Sequence, residues 1–179
     1  QEFIDKYPSS NQAFLLRINK LVEMEKNPAQ IIAAADGYIQ IHDEVKASKV
    51  DAGDTQSSDL FEEAIRLYAL AGNKTKEFEL RNQFIATYPN HIRVVPNLEL
   101  MAKEYFDRGD KDNFEMLAKE IFKRDKTKSS YYHSVASAKL KDIITEFDTA
   151  YRNKDYTAAF KARDSFRSSE AAYVKEGLT

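Results

Sequence analysis

Cysteine and tryptophan are absent from this 179-residue chain, and it has only five glycines and four prolines. Without cysteine there is no disulfide scaffold and no thiolate metal site. So few breakers cannot punctuate a many-stranded sandwich or barrel, which needs a turn signal every ~8–12 residues. No apolar run approaches the ~18 residues that would cross a bilayer. A dominant charge is missing as well: 27 Lys and Arg face 29 Asp and Glu, a formal net charge of −2. What the chain does have is core material. Apolar residues make up 42% of it and include ten Tyr and eleven Phe, too many for a disordered chain. The first residue is Gln1, not Met, so we expect a segment of a longer protein.

The dominant apolar period is helical. Over 99–122 the apolar residues Leu100, Met101, Tyr105, Phe106, Phe114, Leu117, Ala118, Ile121 and Phe122 recur at helical spacing, interrupted at Arg108-Gly109-Asp110. That pattern puts one apolar stripe on each of two helices. Gly109 suits the left-handed residue that ends a helix, and Asp110 or Asp112 suits the cap of the next. The same grammar recurs along the chain. A helix over 60–71, with Asp59 and Glu62 at capping-box spacing, ends at Gly72-Asn73 and is answered by one over 76–88. A helix over 12–26, with Ser9 and Gln12 as its capping box, stops at Asn27-Pro28. Asn27 caps the following helix, which runs to about Val45. A long helix over 130–151 turns at Asn153-Lys154-Asp155 and returns over 156–166. Lys46–Ser58 is small, polar and non-periodic, and is expected to be an inter-hairpin loop.

The chain repeats itself. Phe3-Ile4-Asp5-Lys6-Tyr7-Pro8-Ser9 matches Phe84-Ile85-Ala86-Thr87-Tyr88-Pro89-Asn90 at an offset of 81 residues. The turns near Asn27, Gly72, Gly109 and Lys154 are 45, 37 and 45 residues apart. The two copies are therefore two repeats apart, in the range of two-helix solenoid units. Here the sequence resembles the tetratricopeptide repeat (TPR) family. Leu98, Met101-Ala102 and Tyr105 precede Gly109-Asp110 as that family's large, small and aromatic positions do. Tyr68 stands before Gly72 in the same way. Phe84 and Tyr88-Pro89-Asn90 close a second helix, and Asp155-Tyr156 with Ala158-Ala159 resembles the family's D-Y-x-x-A. The first hairpin departs from the pattern, with Asn27-Pro28 in place of a glycine turn, and Ile65 stands where a small residue is usual.

The resemblance implies an all-α, right-handed α-solenoid of antiparallel helix hairpins, about nine helices in all. It divides into the end of an upstream repeat (1–10), hairpin 1 (11–46), a loop (47–58), hairpin 2 (59–90), hairpin 3 (91–127) and hairpin 4 (128–179). Stacked hairpins bury a continuous core that one hairpin cannot bury alone. The Tyr-Pro helix endings are similar to those of bacterial cell-envelope TPR proteins, which implies a periplasmic or envelope location over a cytoplasmic one.

Signatures of chemistry are scarce. His42, His91 and His133 have no second ligand at zinc spacing. Side chains at His42-Asp43-Glu44 are expected to fan around a helix without converging. The acidic stretch Asp51-Ala52-Gly53-Asp54 has its glycine in the wrong place for a calcium loop. No phosphate-binding glycine motif or nucleophile elbow occurs, and paired serines sit at helix ends, where capping explains them. No enzyme, cofactor or metal is expected.

Charge is uneven. Residues 119–167 hold 12 Lys and Arg against 7 Asp and Glu. The densest patch is Lys119, Lys123, Arg124, Lys126 and Lys128, beside Tyr131-Tyr132. Cations with stacking tyrosines would suit RNA, but Glu120 and Asp125 interrupt the run and the tyrosines fall at core spacing. Protein partners are favoured over nucleic acid. By the TPR resemblance, a concave groove would be lined by Glu99, Lys103 and Phe106 of hairpin 3 and by Glu62, Arg66 and Ala69 of hairpin 2. Such a groove suits a peptide with an apolar anchor and an acidic group. A chaperone-type carboxylate clamp is disfavoured, because its Lys and Asn positions hold Glu62, Glu99, Arg66 and Lys103. The expected role is a non-catalytic protein-binding scaffold. The alternatives are a structural spacer that self-associates through its solenoid ends, and an RNA-binding helical repeat.

Overall fold

A computed structural model describes residues 2–176. Among the described residues it contains nine α-helices and no strand. They are α1 (Glu2–Lys6), α2 (Asn11–Glu25), α3 (Ile31–Lys46), α4 (Ser57–Leu70), α5 (Lys74–Thr87), α6 (Val94–Asp107), α7 (Lys111–Arg124), α8 (Ser129–Arg152) and α9 (Tyr156–Lys175). Short 3-10 turns at Pro28–Gln30 and Lys126–Lys128 lead into α3 and α8. The all-helical expectation and the helix count agree with this. The helix returning from Asp155 is longer than its expected end at 166, reaching Lys175. The chain divides into two compact units, one ending at Val94 and one beginning at Val95.

In the first unit α3 packs along α4, with α2 against α3 and α5 against α4. Small residues let the backbones approach: Ala13, Ala34, Ala35 and Ala64 are fully enclosed. Phe14, Ile41, Leu67, Leu80 and Phe84 fill the space between. Burying a side chain of this size stabilises the fold by roughly 1.5–3 kcal/mol. Polar groups taken inside bring partners with them, as burial demands. Tyr38 donates to Glu25 (2.9 Å), Tyr68 donates to Asp36, and the buried Glu77 and Arg81 pair at 2.7 Å.

Two capping expectations shift. Ser10, not Ser9, caps α2, accepting from the Ala13 amide at 3.2 Å. The Ser9 carbonyl is engaged elsewhere, accepting from the Asp51 amide at 2.9 Å. At α4 the helix begins earlier, at Ser57 after Gln56, so Asp59 lies inside the first turn. There its charge favours the helix dipole without capping. The connector before α4 is held in place. It is pinned to the start of α2 by that Ser9–Asp51 bond and by Asn11 donating to the Asp51 carbonyl (3.3 Å), and Val50 and Ala52 are buried.

The second unit has a smaller core. Ala118 and Phe122 of α7 meet Tyr132, Val135 and Ala136 of α8, with Phe114, Tyr131 and Tyr173 packed around them. Glu115 ties α7 to α8 by accepting from Lys139 (2.5 Å) while also pairing with Lys119 (3.0 Å). Beyond this core α8 packs along α9, and no residue from 137 to 158 is buried.

Three helix junctions are built alike. Gly72, Gly109 and Lys154 each take a left-handed conformation, with φ of 71°, 71° and 59°. The next residue's amide reaches back to a carbonyl five positions earlier: Asn73 to Tyr68, Asp110 to Tyr105 and Asp155 to Ala150. The same Asn or Asp then caps the next helix, accepting from Lys76, Asn113 and Ala158. This is a Schellman ending run directly into an N-cap. The Asn27 junction lacks the left-handed residue; Asn27 caps a 3-10 turn through the Ala29 amide instead.

The offset-81 copies also match in geometry. Phe3 and Tyr7 stand 5.2 Å apart with rings tilted 45°, and Phe84 and Tyr88 stand 5.2 Å apart tilted 48°.

Candidate functional site

Phe106 lies on the last turn of α6, three residues before the Gly109 junction, and is 64% exposed. Its ring rests against Phe114 of α7 at 5.4 Å, and Phe114 meets Tyr131 of α8 at 6.4 Å. With Lys103, Ser130 and Ser134 these rings line an open cleft of about 310 Å³. That volume suits one or two inserted side chains. The floor is aromatic and the two serines add hydroxyls. Charges at the rim are already matched. Lys103 pairs with Asp107 (2.5 Å), which holds its ammonium above the usual lysine range, and Lys128 pairs with Glu99 at 2.9 Å, with the same effect on Lys128.

Three of the expected groove residues thus belong to the second unit. Lys103 and Phe106 line the cleft, and Glu99 is engaged by Lys128. The other three lie on α4 of the first unit and are occupied in other ways. Arg66 forks between Glu63 (2.6 Å) and Glu25 of α2. Ala69 is half-buried. Glu62 sits 3.6 Å from Arg93 and 4.0 Å from His91, and burial pushes its carboxyl up.

The basic patch is largely neutralised. Lys119 pairs with Glu115, Arg124 with Glu120 (2.6 Å) and Lys128 with Glu99. Lys126 lies 3.9 Å over the Phe122 ring. Lys123 is exposed. Tyr132 is buried and donates to Glu176, so it offers no stacking face.

One polar chain escaped the sequence reading. His42, 3% exposed, places Nδ1 2.8 Å from Asp43 and Nε2 2.8 Å from the Tyr88 hydroxyl. Tyr88 in turn lies 2.9 Å from Ser57 Oγ. Asp43 can only accept, so Nδ1 carries the proton and Nε2 accepts from Tyr88. Burial lowers the His42 pKa, consistent with this neutral tautomer. His42 and Asp43 therefore converge where divergence was expected, because the enclosed ring needs an acceptor at Nδ1. Glu44 does turn away, to Arg17 at 2.5 Å. The chain Ser57–Tyr88–His42–Asp43 fastens α3, α4 and the end of α5 together. Ser57 does not touch the imidazole itself, since Tyr88 stands between them.

Among the described residues no three His, Asp or Glu side chains gather as a metal site, and no helix is long and apolar enough to cross a membrane. No protein-family model matches the chain, and no curated protein or solved structure matches it.

The sequence pointed to Lys103 and Phe106. It did not point to Phe114, Ser130, Tyr131 and Ser134 as their neighbours in one cleft. Phe114 reads in sequence as one more member of an apolar stripe, and its position across from Phe106 follows from the tight Gly109 turn.

Proposed function

We propose that the chain is a non-catalytic scaffold, a TPR-like α-solenoid that binds a protein segment through an aromatic cleft. The observation that carries this is Phe106. A large ring left mostly in water, braced by Phe114 and Tyr131, supplies an anchor site whose burial would favour a partner's apolar side chain. The rim carries both signs of charge, so a segment combining an apolar anchor with an acidic group could meet Lys103 in exchange for Asp107. Support for the repeat architecture comes from the three junctions of one construction and from the matched Phe-Tyr pairs at offset 81. The same reading carries a bacterial cell-envelope location, from the likeness of the Tyr-Pro helix endings.

A random peptide display selection against the full chain tests the reading. Selected peptides should share an aromatic or aliphatic anchor near an acidic residue. Phe106→Ala should weaken them by about tenfold or more, the cost of losing a well-buried contact of roughly 1.4 kcal/mol. Lys103→Glu should weaken the acidic ones selectively. Peptides whose binding ignores both substitutions would overturn the assignment of the cleft.

A further inference from the structure

The α8–α9 pair presents a second surface, far along the helices from the aromatic cleft. Ile143, Ile144, Phe147 and Phe166 line an open apolar trough there, with Arg163, Arg167 and Glu170 along one side. With no residue buried between 137 and 158, the distal part of the pair hides only the seam between its two helices. Two bare helices of this length are marginal in water, and most helical stability comes from packing an apolar face.

Along α9, Phe160, Arg163, Arg167, Glu170 and Val174 recur at intervals of three, four, three and four residues, so they form one narrow stripe. Phe160 and Val174 at its ends are 56% and 51% exposed. The order along the stripe is apolar, basic, basic, acidic, apolar. Read in reverse against itself it is complementary. About a two-fold axis at Arg167, Phe160 faces Val174 of a second copy, and Arg163 faces Glu170 of a second copy. A two-fold interface requires this property, since each patch must complement its own image. Arg163 is already extended along this face, stacked 5.0 Å over the Phe160 ring and bonded to Asp164 at 2.8 Å.

We propose that two copies of the chain associate antiparallel through the α9 stripe, joining two helix pairs into a four-helix packing. This goes beyond peptide binding at the aromatic cleft and does not depend on it. Each copy would cover the apolar trough of the other, and the paired Arg163 and Glu170 would fix the register. The two Arg167 side chains meet near the axis, where like charge limits the affinity.

Sedimentation equilibrium of the full chain over a wide concentration series reads the association, and circular dichroism checks that each variant is folded. The expected result is a monomer–dimer equilibrium. Glu170→Arg should weaken it about tenfold, because two symmetric ion pairs become repulsive. Arg163→Glu should do the same, and the two substitutions together should restore the dimer. Arg167→Leu should tighten it. A monomer at every concentration would overturn the proposal. So would a dimer unaffected by Glu170→Arg, or a double swap that fails to restore it. A dimer lost on Phe106→Ala but indifferent to the α9 swaps would also overturn it, moving self-association to the aromatic cleft.

Discussion

α4 and the outer stretch of α8 carry apolar residues at the same helical spacing, and they end in opposite surroundings. α4 lies between α3 and α5, and seven of its residues are buried, on more than one face. α8 is ten residues longer but buries only Tyr132, Val135 and Ala136, all in its first third. After the α7 contact, α9 is what it packs along, and Ile144 and Tyr151 stand in water. Amphipathic period therefore reports that a segment is helical. How much of it is buried depends on how many neighbours it has. A helix flanked on two sides can hide apolar residues all round, and one flanked on a single side hides a seam.

The sharpest way to test this contrast is by truncation. Phe84 is fully enclosed on α5 against α4, with Phe61 and Tyr88 as ring neighbours at 6.0 and 5.2 Å. Phe84→Ala should cost about 3–5 kcal/mol in urea unfolding. Phe160→Ala, on the exposed stripe, should stay within about 0.5 kcal/mol in dilute solution. Comparable losses at the two sites would show that the outer stretch of α8–α9 is packed as tightly as the first unit.

A smaller effect separates the two units by pH. His42 of the first unit is buried and neutral, with its pKa lowered by burial. The unfolded chain binds the proton more readily, at about pH 6.5. Stability from this group is therefore complete above that pH and falls as pH drops below it toward the lower folded value. The groups facing the ring are Asp43 and Lys46 on its own helix, Phe61 of α4, and Tyr88 after α5, with Ser57 behind the Tyr88 hydroxyl. His133 of the second unit is exposed. Urea midpoints measured between neutral and mildly acidic pH should fall, and His42→Gln should flatten the slope. Farther into acid, Glu44 adds to the loss, because Arg17 holds its carboxyl below the usual carboxylate range. An unchanged slope in His42→Gln would remove His42 as its cause.

What the sequence disclosed follows from how local each signal is. Gly72-Asn73, Gly109-Asp110 and Lys154-Asp155 were legible because a left-handed residue followed by a capping side chain is settled within six residues. The caps lie one position from Ser9 and three from Asp59, at Ser10 and Gln56, where tertiary partners decide. The Ser9 carbonyl takes the Asp51 amide, and Ser57 is drawn to Tyr88. His42 and Tyr88 are 46 residues apart, and no spacing rule links them. Phe106 stands out in the sequence, but its bracing by Phe114 and Tyr131 needs three helices in place. Arg66 and Lys128 looked available to a ligand until Glu25, Glu63 and Glu99 were seen to hold them.

The smallest prediction concerns the junction at the tip of α8–α9. Lys154 adopts φ 59° where the corresponding residues Gly72 and Gly109 adopt 71°. At both glycines an added Cβ would meet nothing within 4 Å, so room is not what selects glycine there. The cause lies in the backbone: a Cβ in the left-handed region crowds its own carbonyl, at roughly 1 kcal/mol. Lys154→Gly removes that strain, and the extra freedom of glycine in the unfolded chain offsets part of the gain. The net should be a stabilisation of about 0.5 kcal/mol, with Gly109→Ala destabilising by about 1 kcal/mol at the matching position. Urea unfolding of both variants checks the pair. A gain at Lys154 means the outer stretch of α8–α9 unfolds together with its core. If Gly109→Ala loses stability while Lys154→Gly gains none, the outer stretch opens independently, and the contrast with α4 extends from burial to cooperativity.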